Sequence, residues 1–111
     1  MNRIGTMLLV ALALAFAGQA HAAGFLGTKN GRAVFDRWCT ACHGAGQDKP
    51  GTVALAAKYK GSLPALLEER TDLTPDLTKF FVRNGVSIMP PFRKTEISDA
   101  ELDALANYLA K

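Results

Sequence analysis

An all-α fold is what this sequence predicts, from three observations. Apolar residues recur at the i, i+3, i+4 spacing of one helix face, as in Leu102, Leu105, Ala106 and Leu109. Helix start signals stand where such stretches begin, at Thr74-Pro75 and at Ser98 with Glu101 three positions on. No run alternates apolar and polar residues for long enough to build a sheet. A chain of 111 residues holds one domain at most. Its 49% apolar and 21% charged content is that of a folded globule and not of a disordered tail.

The amino end reads as a leader. Arg3 gives a positive start, Met7 to Ala17 is an unbroken run of eleven apolar residues, and Ala20-His21-Ala22 places small residues around a cleavage point. Eleven helical residues rise about 16 Å against a hydrocarbon core of about 30 Å, which is too short for a permanent membrane span. Residues 1–22 are therefore expected to be a cleaved signal peptide, and 23–111 the mature domain, exported to the periplasm. Of the 13 basic residues only Arg3 leaves with the leader, so 12 face 10 acidic ones. That mild excess, with no basic stripe among aromatics, gives no ground for a nucleic-acid partner.

Within 23–111 the first helix is expected from about Gly31 to Cys39, capped by Asn30 or Thr28, with Val34, Phe35 and Trp38 on its apolar side. A Gly-, Asp- and Pro-bearing loop follows from Gly44 to Thr52, then a short helical turn over Val53 to Tyr59 and another short segment over Leu63 to Arg70. Thr74 caps the next helix with Pro75 at its first position. Leu77, Phe80 and Phe81 form its apolar side, Asp76, Lys79 and Arg83 face away, and Gly85 ends it. Ser98 and Glu101 make a capping box for the last helix.

The strongest motif is Cys39-Thr40-Ala41-Cys42-His43. Two thiols three positions apart at a helix end, followed at once by an imidazole, have the spacing for thioether attachment of haem, with His43 as an axial iron ligand. Other readings of the same residues stay open. A disulfide between Cys39 and Cys42 would close only a tiny loop, a thioredoxin-like pair needs a βαβ context, and a zinc site lacks an evident fourth ligand. Met89 is the sole methionine after the leader and stands before Pro90 and Pro91, which stiffen the backbone beside its thioether. It is the candidate second axial ligand, against the plainer role of filling a gap in the core. An iron with two protein ligands mostly passes electrons, whereas one with an open position binds gases or peroxide.

Together these residues resemble a class I c-type cytochrome. Gly31 and Phe35 ahead of Cys39, and Leu105 and Tyr108 on the terminal helix, match the family's contact between first and last helices, and the likeness runs from Gly31 to Lys111. It implies one covalent haem c wrapped by helices, with Cys39, Cys42, His43 and Met89 holding it. The resemblance also implies that the Pro50 carbonyl accepts the other ring N–H of His43. Trp38 is expected to pack beside Cys39. Lys79, Arg83, Arg93 and Lys94 flank the Met89 segment, either as a solvated face or as a docking ring for an acidic partner.

The stretch from Leu66 through Asp76 to Phe92, with the Ser98 to Leu109 helix, is similar to the small cytochrome subunits of p-cresol methylhydroxylase-type flavocytochromes (4-cresol dehydrogenases). That similarity implies an electron-accepting partner of a flavoprotein dehydrogenase acting on 4-alkylphenols, itself not catalytic. The alternatives are a free soluble carrier to a terminal oxidase or other respiratory partner, a haem enzyme or gas sensor with an open iron position, and an exported helical protein without a cofactor.

Overall fold

A computed structural model of the chain describes residues 29–111. The expected leader, its cleavage after Ala22 and the possible Thr28 cap lie outside the described residues. Five α-helices follow in order: α1 Gly31–Trp38, α2 Thr40–His43, α3 Pro50–Tyr59, α4 Pro75–Asn84 and α5 Asp99–Leu109, with one 3-10 turn at Leu67–Glu69. The described residues contain no strand, and their β pairing is one isolated bridge between Val86 and Met89. None of these helices is long and apolar enough to cross a membrane.

The caps are those the sequence places. Asn30 Oδ1 accepts from Ala33 N at 3.2 Å, and Thr74 Oγ1 accepts from Leu77 N at 3.2 Å. At α5, Ser98 Oγ accepts from Glu101 N at 3.2 Å while the Glu101 carboxylate accepts from Ser98 N at 2.9 Å, completing a reciprocal box. Ile97, directly before that cap, is 0% exposed and belongs to the same buried cluster as Leu102, the pairing of a hydrophobic staple.

The core forms where α1 and α4 pack on α5. Val34 and Phe35 of α1, Val82 of α4, and Leu102, Leu105, Ala106 and Leu109 of α5 are all buried. Gly31 makes the α1–α5 crossing close, since a β-carbon there would overlap the Ala104 carbonyl oxygen and stand 2.6 Å from Tyr108 Cβ. Phe35 meets the Tyr108 ring at a 6.2 Å centroid separation, so the expected contact between end helices is present.

Three expectations need correction. The helix after the loop begins at Pro50 and not Val53, because proline's fixed φ suits a first helical position that needs no N–H. Leu63 to Arg70 forms only the 3-10 turn. Pro64 disfavours helical geometry at Leu63, and Lys60 and Gly61 have already left the helical region at φ 49° and 85°. On α4 the buried residues are Thr78 and Val82, while Phe80 is 58% exposed. Leu77 and Phe81 instead border a cavity. Lys79 and Arg83 do not face away: they reach across to Asp103 and Asp99 on α5.

Candidate haem-binding site

The cysteine motif occupies a short helix of its own. α1 stops at Trp38, Cys39 bends the chain at φ −112°, and α2 carries Thr40 to His43. The bend is held at both ends, with Cys39 N donating to Phe35 O at 2.8 Å and His43 N donating to Cys39 O at 2.8 Å. Cys39 and Cys42 are free thiols, the first half-buried and the second exposed. Burial, and then the neighbouring Cys42, pushes the Cys39 thiol up to about 12. Burial also lowers the His43 imidazole below its ordinary value, favouring the neutral form that can bind a metal.

Met89 arrives from the other end of the chain. After Gly85 ends α4, Val86 and Met89 exchange backbone hydrogen bonds at 3.1 and 2.9 Å around a turn in which Ser87 has φ 54°. Phe92 N then donates to Val82 O at 2.8 Å, tying the segment back to α4. The Arg83 guanidinium secures the same stretch, donating to Phe92 O at 3.1 Å and to Ile97 O at 2.9 Å.

Two cavities, of about 180 and 450 Å³, lie between these elements. Cys39, His43, Leu55, Lys58, Val86 and Met89 border both. The smaller is walled by Leu73, Leu77, Phe81, Val82 and Leu105, the larger by Trp38, Cys42, Pro50, Gly51, Ile88 and Phe92 among others. The fold therefore brings Cys39, Cys42, His43 and Met89 to one apolar hollow, with Pro50 at its edge. Trp38 packs as expected, its ring 6.0 Å from that of Phe92 in an edge-to-face arrangement.

Pro50 does not hold His43 here. The buried Nδ1 of His43 has no hydrogen-bond partner, because Pro50 begins α3 and the carbonyl of a first helical residue points along its own helix. The four cations that flank the Met89 segment are paired. Lys79 pairs with Asp103, Arg83 and Lys94 with Asp99, and Arg93 with Glu96, so all four cations already have carboxylate partners.

The sequence reading passed over Arg70. It is 4% exposed, lines the smaller cavity, donates from Nε to Asp72 at 2.6 Å, and lies 4.8 Å over the Tyr59 ring. Hydrogen bonding to Asp72 raises the guanidinium's proton affinity and keeps it charged inside an apolar wall. An isolated arginine between irregular segments carries no periodic signal that would reveal this.

Residues 27–109 match the family described as cytochrome c oxidase, cbb3-type, subunit III. The chain belongs to that family of c-type cytochrome domains. No curated protein matches it. A cytochrome domain of this class implies haem c and electron transfer, and the residues present fit that group. Both thiols, the imidazole and the thioether border one hollow whose lining is mostly apolar, and His43 Nδ1 is a buried polar atom with no protein partner. Among the described residues no group of three or more His, Cys, Asp or Glu could hold a metal ion, so a zinc site finds no support in this cytochrome.

Proposed function

We propose that this cytochrome domain is a periplasmic one-electron carrier. It holds one haem through Cys39 and Cys42, with His43 and Met89 as the iron ligands. The observation that carries the reading is that His43 and Met89, 46 positions apart, border the larger apolar cavity together with both Cys39 and Cys42. When bound, haem supplies a one-electron couple between ferric and ferrous iron. The chain's own residues do the rest. His43 offers a neutral imidazole, Met89 offers a neutral thioether that favours the ferrous state, and the apolar walls keep water away. Lys58, on the wall of both cavities, supplies positive charge to meet the carboxylates of the group. Two protein ligands leave no open position for a gas or peroxide, which favours carriage of electrons over catalysis at the iron.

Two partners fit this role in series. The likeness to p-cresol methylhydroxylase-type subunits supports a flavoprotein dehydrogenase acting on 4-alkylphenols as the electron donor. The family description, which names a subunit of a terminal oxidase, supports an oxidase as the acceptor. The exposed apolar rim at Val86 and Ile88, 52% and 75% exposed beside the cavities, offers a contact for either.

The expected result for the purified mature protein is a mass gain of one haem and a far-red sulfur-to-iron absorption band. Met89→Ala is expected to abolish that band and open the reduced protein to carbon monoxide. An unchanged band removes Met89 as ligand, and a colourless product from a host competent in haem attachment removes the whole reading. Isolation from the native periplasm is expected to bring a flavoprotein with it. Absence of any electron exchange with such an enzyme would leave only the oxidase-facing role.

A further inference from the structure

We infer that Gly85 and Gly51 are positioning residues for the two iron ligands, each leaving open the space against which a ligand is seated. The inference rests on the proposed ligation by His43 and Met89. At Gly85 a β-carbon would stand 2.5 Å from Met89 O, 2.9 Å from Pro91 N and 3.0 Å from the Pro90 carbonyl carbon. All three are backbone atoms, and two belong to prolines whose φ is fixed, so they cannot yield as the tip of a flexible side chain would. A methyl group there must push the Met89–Pro91 segment away from α4. The Val86–Met89 bridge makes Met89 move with its turn and the Phe92 to Val82 hydrogen bond holds the far end of the segment on α4, so the displacement falls between them, on the Met89–Pro91 backbone.

Gly51 does the same for the opposite ligand. A β-carbon on it would stand 2.8 Å from His43 Cε1, 2.9 Å from His43 Nδ1 and 2.8 Å from Cys42 O. Since His43 Nδ1 has no hydrogen-bond partner, the ring's orientation is set by packing, and the Gly51 backbone in the first turn of α3 is the wall behind it. Gly61 separates this effect from positive φ alone. Its φ of 85° is as unfavourable to a side chain as the 70° of Gly85, yet nothing lies within 4 Å of a β-carbon built there.

The test compares haem-loaded wild type with Gly85→Ala, Gly85→Asn, Gly61→Ala, Gly61→Asn and Gly51→Ala. The Gly61 pair reads the cost of positive φ alone, whereas Gly85, at φ 70° and ψ 173°, adds the crowding to a conformation that glycine alone adopts freely, which neither alanine nor asparagine relieves. Both Gly85 variants are expected to keep their far-ultraviolet helix signal, lose the far-red sulfur-to-iron band, and bind carbon monoxide when reduced. Both Gly61 variants are expected to retain the band and stay closed to carbon monoxide. Gly51→Ala is expected to retain the band while displacing the hyperfine-shifted ring-proton resonances of His43. A wild type without the band defeats the ligand assignment itself. A wild type with the band, and Gly85 variants that keep it, overturns the role of Gly85. Unmoved His43 resonances overturn that of Gly51. Should the Gly85 variants fail to accumulate while those at Gly61 do, Gly85 serves folding alone and its positioning role is rejected.

Discussion

At the scale of single residues, the buried guanidinium of Arg70 is costly to disturb, though it lies outside the proposed ligand set. It combines a paired fork to Asp72 with a cation over the Tyr59 ring, all at an apolar wall. Arg70→Gln is expected to lower stability by about 1–3 kcal/mol, the usual worth of buried hydrogen bonds to a charged group. Urea unfolding of the haem-loaded protein reads this directly, and a loss below about 0.5 kcal/mol would mean that the fork contributes nothing net. Sequence could not have pointed here, because Arg70 follows two glutamates in a segment without periodicity and its burial depends on Tyr59, eleven positions earlier. Cys39, Cys42 and His43 were legible for the opposite reason: their chemistry is fixed by spacing within five consecutive residues. Met89 was legible because proline stiffening and its singularity set it apart.

Among the elements, helix ends were read more faithfully than helix faces. A cap is a local contract between residues three apart, so Asn30, Thr74 and Ser98 all fulfil it. The outer face of α4 was misjudged because a helix beside a ligand hollow has two apolar destinations, the protein core and the cavity wall. Thr78 and Val82 take the first, Leu77 and Phe81 border the second, and Phe80 lies outside both against Phe81 at 5.5 Å. The α5 cap is the place to test an element alone. Ser98→Ala removes the acceptor for Glu101 N and the hydroxyl that donates to its carboxylate, leaving only the backbone N–H of residue 98 on that carboxylate, and should lower stability by about 1 kcal/mol. Thermal unfolding checks it, with the iron ligands expected to keep their absorption signature up to the transition.

For the whole molecule, charge is arranged in pairs and so links stability to pH. Hydrogen bonds from Lys94 and then Arg83 hold the Asp99 carboxyl below its ordinary 3.8. The backbone N–H and then the guanidinium of Arg93 hold Glu96 below its ordinary 4.5. In the unfolded chain both carboxyls take up protons first. Their stabilising effect is thus complete above the ordinary values, falls as pH descends through them, and is gone below the folded ones. In Asp99→Asn the gap in urea midpoint from wild type should be widest near neutrality and narrow as the solution is acidified through and below the ordinary 3.8 of the carboxyl. A gap independent of pH would show that Asp99 acts through hydrogen bonding alone.

The meeting of α1 with α5 also has a temporal side. A ribosome releases the amino end first, so the thiols of Cys39 and Cys42 exist as part of a growing polypeptide well before the stretch that will cover Phe35 has been made. The half-buried position of Cys39 belongs to the finished article only. Any enzyme that must reach that sulfur finds it most open before α5 has docked, and docking of those eleven helical residues then covers Phe35 and the wall beside Cys39.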